Sequence, residues 1–260
     1  MKIISLVENT SPMGLPTEHG LSLYIETERH RILFDTGQGD LFLQNAKKLG
    51  VALGEFDLCF LSHGHYDHGG GLLSFCRVNT SAPIYLSRKA FGPHYNASDR
   101  YIGLNQNWLA DPDFTERLIY TEGDSPLDEQ LSLLVPRSEK PYPAESGGLQ
   151  IREGEALIPD SFAHEQYLMI EEAGKRVLFS GCSHQGILNI VSWFKPDVLI
   201  GGFHFMNLAL DGTLEAYGRI LQNSSTEYYT CHCTGWDQYL FLSSRMDHLH
   251  YLAEGESLLL

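Results

Sequence analysis

Apolar residues along this chain gather in short runs, and the spacing within each run names an element. KIISLV (2–7), LSLYIE (21–26) and RILFDTG (31–37) are rich in β-branched and aromatic residues and close on polar residues or glycine, so each reads as a strand. DLFLQNAKKLG (40–50) spaces its apolar positions for one face of a helix, DLCFLS (57–62) returns to strand, GGGLLSF (69–75) begins a helix, and APIYLS (82–87) reads as one more strand. From about Arg88 to Pro159 the periodicity fades into prolines and scattered aromatics, which predicts loops, short helices and some strand. Order then returns. YLMIEE (167–172) and RVLFSG (176–181) form a hairpin around Ala173 and Gly174, followed by a helix over 186–194, strand DVLIGGF (197–203), helix LEAYGRILQ (214–222), strand EYYTCH (227–232) and helix WDQYLFLSSRM (236–246). Strand alternating with helix predicts a layered α/β architecture. No repeat or flexible linker interrupts it, so the expectation is a single domain over 1–260 whose irregular insert at about 88–159 shapes a substrate pocket.

Composition narrows the partners. The 260 residues are 43% apolar, enough for a sizeable core, and the formal charge of −15 with no basic patch opposes nucleic acid as a partner. The first ten residues hold an apolar run too short for a signal-peptide core, and no run approaches membrane-spanning length. The expected location is therefore cytoplasmic, with no membrane partner. Five cysteines, odd in number and irregularly spaced, fit reduced thiols better than a disulfide framework, and the last three (Cys182, Cys231, Cys233) stay open to metal binding.

The chemistry is densest at SHGHYDHGGG (62–71). Imidazole suits zinc and related ions, and a carboxylate adds charge neutralisation, so three histidines and an Asp between a strand and a glycine run point to metal. His63 and His65, two apart in extended backbone, fall on the same side and can grip one ion, while Asp67 and His68, where the chain turns, can reach a second. His248 and His250, a bare H-x-H in a plain segment, read as structural.

SHGHYDHGG resembles the H-x-H-x-D-H signature of the metallo-β-lactamase fold superfamily. Together with NTSPMGLPTEHGLSLYIE, FDTG, HEQYLMI, SGCSHQGILN, GGFH and CHCTG, it is similar in order and spacing to one subgroup. That subgroup is named for 7,8-dihydropterin-6-yl-methyl-4-(β-D-ribofuranosyl)aminobenzene-5′-phosphate synthase. The resemblance covers roughly residues 1 to 90 and 145 to 240 and is weak between them. It implies a four-layer αββα sandwich with two metals at one edge, and makes Asp35 the carboxylate that props the histidine loop. Where the superfamily has a bridging Asp, this chain has Cys182, either a thiolate ligand or a small buried residue. His184 and His232 stand where further ligands are expected, and Cys231 and Cys233, flanking His232 on one strand, should point away into the core. His204 is open to service as ligand, proton donor or phosphate-binding group. His164 lies where the superfamily's third-motif His would fall, although the subgroup relies on GCSH.

The function expected is a metal-dependent hydrolase or transferase. Two divalent ions, zinc first, with manganese, iron or magnesium as alternatives, would activate water or a leaving phosphate on a small phosphorylated, pterin-like substrate. Asp67 and His204 would carry the proton transfers. No pterin pocket is visible in the sequence, where Tyr95, Tyr101 and Trp108 are stacking candidates at most. Flavodiiron-type redox chemistry is disfavoured because His65 stands where Glu would be typical. The rival readings are a non-catalytic metal-dependent ligand sensor and a phosphodiesterase or nuclease of the same fold.

Overall fold

A computed structural model describes residues 1–144 and 147–260. By its internal contacts the chain forms two compact units, the first from Met1–Gly123, Gly148–Gln166 and Ala253–Leu260 and the second from Asp124–Gly147 and Tyr167–Leu252.

The first unit is built on a seven-stranded sheet in the order Ser257–Leu259, Lys2–Val7, Ser22–Glu26, Arg31–Phe34, Leu58–Phe60, Ile84–Ser87, Leu118–Thr121. The early strands pair antiparallel, and from Arg31–Phe34 onward the pairing is parallel. Leu58, Cys59 and Phe60 are all buried, as an apolar run in a parallel strand covered on both faces requires. Helix Leu41–Lys48 buries Phe42, Asn45 and Ala46, the three- and four-residue spacing of one helical face, and its Phe42 and Ala46 join Leu6 and Leu33 in one apolar cluster. The stretch that lacked periodicity supplies the edge strand Leu118–Thr121 and a small three-stranded sheet of Ala156–Pro159, Gln150–Glu153 and His94–Tyr95.

The second unit repeats the plan. Its sheet runs Leu249–Tyr251, Glu227–Thr230, Val198–Gly201, Lys175–Ser180, Tyr167–Glu172, Leu131–Leu134, Ser125–Pro126, with the first four strands parallel. The expected hairpin is there: Glu172 pairs with Lys175 across Ala173 (φ 52°) and Gly174 (φ 77°), and two positive φ values in succession match the right-handed twist of the flanking strands. Helices Ile187–Phe194, Gly212–Gln222 and Trp236–Ser243 follow the parallel strands. The helix over Gly212–Gln222 starts two residues before its apolar face because the Asp211 carboxylate caps it, accepting the Thr213 N–H at 2.8 Å. Strand Glu227–Thr230 stops before His232, which opens a 3₁₀ turn over His232–Thr234, and Leu249–Tyr251 is a strand that its short, half-polar sequence did not announce. No helix among the described residues is long and apolar enough to cross a membrane.

A buried carboxylate closes the first unit. Glu254, fully buried, accepts the Glu8 backbone N–H at 3.1 Å and the Asn45 side-chain N–H at 2.7 Å. Burial, reinforced by the charges of Glu8 and Glu18, pushes its carboxyl up to about 7 from 4.5. The folded chain therefore holds a proton that the unfolded chain has released, and this contribution to stability is complete below pH 4.5 and lost as pH rises through 7. Urea unfolding across that window should show stability falling by about 1–3 kcal/mol from this group, and Glu254→Gln should flatten the fall. An unchanged slope in the Gln variant would refute the assignment.

Candidate metal centre

In both units the candidate residues sit just beyond the carboxyl ends of parallel strands, where an open parallel sheet presents side chains to ligands. Asp35 follows Arg31–Phe34, the histidine loop follows Leu58–Phe60, Cys182 and His184 follow Lys175–Ser180, His204 follows Val198–Gly201, and His232 follows Glu227–Thr230. The chain turns sharply there. Asp35, Ser183, His204 and His232 all have φ between 50° and 58°, a left-handed conformation that costs a non-glycine residue about 1–2 kcal/mol.

In the first unit one carboxylate organises the loop. Asp35, with no exposed surface, accepts the Ser62 backbone N–H on Oδ1 at 2.7 Å, and on Oδ2 the Ser62 hydroxyl at 2.6 Å and the His68 Nδ1–H at 2.7 Å. Each bond fixes a proton. His68 carries its hydrogen on Nδ1, so Nε2 presents a lone pair, 3.8 Å from Asp67 Oδ2. Because the Ser62 hydroxyl hydrogen goes to Asp35, its oxygen accepts from His63 Nδ1 at 2.9 Å, and His63 Nε2 is the lone-pair nitrogen. That atom faces His65 Nδ1 at 3.1 Å. Two donors each about 2.0–2.1 Å from a tetrahedral ion lie about 3.4 Å apart, so this nitrogen pair fits one ion. Burial above all, then the neighbouring His164, keeps His65 neutral well below the usual imidazole range, the state that metal binding needs. The loop can pass this closely because Gly64 has no side chain: a Cβ there would lie 1.9 Å from the Ala90 carbonyl oxygen.

His164 belongs to a different network of the same unit. Its Nδ1 accepts the Gly64 N–H at 2.9 Å, which places its hydrogen on Nε2, 3.3 Å from Asp160 Oδ2; the same oxygen accepts His94 Nδ1–H at 2.7 Å. Donor atoms of His65, His94, Asp160 and His164 lie within 4.8 Å of one another, all buried. Burial opposes the Asp160 charge, yet the hydrogen bonds from His164 and His94 hold its carboxyl well below the usual range, and burial pulls His164 down to about 4. With Nδ1 committed to the backbone and Nε2 protonated, His164 is built to brace the histidine loop. His94 and Asp160 carried no sequence signal, being single residues in an aperiodic stretch; neither did His19, whose Nε2 lies 3.4 Å from Asp67 Oδ2.

In the second unit Cys182, His184 and His232 are buried and His204 is half-buried, with the His184 and His204 ring centroids 4.4 Å apart. Donor atoms of Cys182, His204 and Cys233 lie within 4.8 Å of one another. Cys233 is buried, as expected, but strand alternation is not what places it. Alternation would turn it to the core with Cys231, but the strand ends at Thr230 and the 3₁₀ turn brings Cys233 round to Cys182, whose carbonyl oxygen accepts its S–H at 3.6 Å. Burial opposes a Cys233 thiolate, yet hydrogen bonding with Cys182 and His204 and the nearby His232 together hold it well below the usual thiol range. Cys231 is fully buried in the core. His248 stacks on Tyr228 with centroids 5.6 Å apart, and His250 pairs with Glu227, so both have structural partners.

The family model of the metallo-beta-lactamase superfamily matches residues 15–217. The chain belongs to this superfamily. Over 238 residues it is 30% identical to an uncharacterised protein of Methanocaldococcus jannaschii, covering 89% of this chain and 90% of that protein. It is 27% identical over 267 residues to the 7,8-dihydropterin-6-methyl-4-(beta-D-ribofuranosyl)-aminobenzene-5′-phosphate synthase of the same organism, covering 91% and 88%. A solved structure described as a metal-dependent hydrolase of the beta-lactamase superfamily superposes with a TM-score of 0.82 at 28% identity, covering 100% of this chain and 99% of that one. The α/β fold with two large sheets is therefore of the metallo-β-lactamase type, the fold of metal-dependent hydrolases, and it carries groups of residues able to hold divalent metal.

Removing the Asp35 carboxylate charge should disturb the loop and its metal together. Asp35→Asn is expected to cost about 2–4 kcal/mol in urea unfolding, because His68 and Ser62 lose a charged acceptor in a dry site. It should weaken metal binding about 10- to 100-fold in chelator competition. Wild-type metal affinity in a folded Asp35→Asn protein would show that the carboxylate does not orient a ligand.

Proposed function

We propose that the protein is a hydrolase or transferase acting on a small phosphorylated substrate through two divalent ions, zinc foremost. The proposed ligands are His63, His65, Asp67, His68, Cys182, His184 and His232. The observation that carries this reading is the hydrogen-bond chain centred on Asp35, which sets the ring protons of His63 and His68 so that both Nε2 atoms are electron-pair donors. Divalent ions held by these residues would supply Lewis acidity to water and to phosphate oxygens. Asp67 accepts the proton of the attacking group, and His204 gives one to the leaving oxygen.

A cavity of about 640 Å³ in the first unit supports the substrate class. Tyr66, Arg100, Tyr101 and Trp108 line it, with the Arg100 guanidinium carbon 5.5 Å from the Tyr66 ring centre. Its wall is fastened to the histidine loop by the bridge between His65 and Gly103 and by Tyr66 N–H to the Ile102 carbonyl at 2.9 Å. Aromatic faces beside an arginine, in a chain of net charge −15, suit a planar ring that carries phosphate. The likeness to a synthase whose name specifies a ribofuranosyl aminobenzene 5′-phosphate agrees with that chemistry.

The test is release of phosphate or diphosphate from a panel of phosphomonoesters, phosphodiesters and diphosphates, with bound metal measured on the same samples. Asp67→Asn and His68→Ala should each lower turnover at least about 100-fold. A His65→Ala protein that lost activity while still holding two metals would overturn the ligand assignment. Silence across the panel at full metal occupancy would sink the enzymatic reading in favour of a ligand sensor.

A further inference from the structure

Cys182 and Cys233, both in the second unit, follow strands that are not neighbours. Lys175–Ser180 and Glu227–Thr230 are separated by Val198–Gly201, which pairs parallel with both. Neighbouring strands lie about 4.7–4.9 Å apart, so side chains two strands apart are ordinarily about 9–10 Å from each other, too far to share an ion. Here Cys182 and Cys233 bring their sulfurs within 4.8 Å. The middle strand allows it. A Cβ on Gly202 would lie 2.4 Å from Cys233 Sγ and 3.0 Å from the Gly181 carbonyl oxygen, so the Cys233 sulfur occupies the space that any other residue at 202 would fill. The turn carrying Cys233 is pinned to the same strand end, because Thr234 Oγ1 accepts the Phe203 N–H at 2.8 Å. Both cysteines are buried, at 3% and 2% exposure.

We propose that Cys233 is a second thiolate ligand of the ion taken by Cys182, and that this sulfur pair makes the centre select soft cations, zinc foremost, over manganese and magnesium. The proposal rests on the reading of Cys182 as a metal ligand and adds a residue that the superfamily pattern does not supply. Two thiolates bound to one tetrahedral zinc at about 2.3 Å each lie about 3.8 Å apart, within the separation found. Their combined charge balances a divalent ion where the bridging Asp is missing, and thiolate sulfur favours zinc over the oxygen-loving ions. His204 places a ring nitrogen in the same 4.8 Å group, beside both sulfurs.

Cobalt loading of the metal-free full-length protein, under a phosphine reductant, tests this through the near-ultraviolet sulfur-to-cobalt charge-transfer band, read per bound cobalt. Cys182→Ser and Cys233→Ser should each lower the band to about half, and the double variant should abolish it. Zinc-over-manganese preference in competition should drop at least about tenfold in Cys233→Ser. A Cys233→Ser protein with the wild-type band overturns the proposal while leaving Cys182 as a ligand. Cobalt bound to the wild type with no such band removes Cys182 as well, and with it that part of the proposed ligand set. Cadmium-113 NMR of the unsubstituted protein needs no variant to fold: a shift typical of two sulfurs supports the pair, and a shift typical of one or none refutes it.

Discussion

A carboxylate sealed from water must be surrounded by donors, and the Asp35 side chain meets that demand with three, one from a backbone amide, one from a hydroxyl and one from an imidazole. The whole histidine loop is arranged to deliver them. Because Ser62 gives its hydroxyl hydrogen to Asp35, it can only accept from His63, and because His68 gives its Nδ1 hydrogen, its other nitrogen keeps a lone pair. One buried charge thereby settles the protonation of two rings that are not adjacent in sequence. The metal-binding competence of the loop follows from how Asp35 is solvated by protein.

Parallel pairing brings the rest into position. In each sheet the strands run the same way over four neighbours, so their carboxyl ends reach one edge, and the sharp left-handed turns at Asp35, Ser183, His204 and His232 redirect the chain there. This backbone strain falls on the residues that the chemistry needs. Glycine handles the closest approaches: at 64 it admits a neighbouring carbonyl, and at 202 it admits a sulfur.

Most of the regular structure was legible because burial imposes a period on sequence. The runs KIISLV, YLMIEE and RVLFSG are strands, and the hairpin at Ala173 and Gly174 turns where its small residues said it should. The histidine loop was legible because its ligand types are packed into a few positions. What escaped was whatever depends on where a period stops. Alternation along a continued strand predicts burial for Cys233, which it has, but not the 3₁₀ turn that brings its sulfur near Cys182. His94 and Asp160 stand alone in aperiodic sequence, and only the folded small sheet and the connection after it bring them to His164. Glu254 carries no sequence signal, since nothing local to it encodes partners as remote as Glu8 and Asn45.

Those remote partners order the assembly of the chain in time. The bond from the Glu8 amide to Glu254 spans 246 residues, and the segment Ala253–Leu260 completes a unit whose other strands were made long before. On a ribosome the first unit would wait, its Lys2–Val7 strand lacking its partner Ser257–Leu259, while every strand of the second unit is already synthesised. A chain built this way leaves one side of Lys2–Val7 without its partner strand until Ser257–Leu259 has been made.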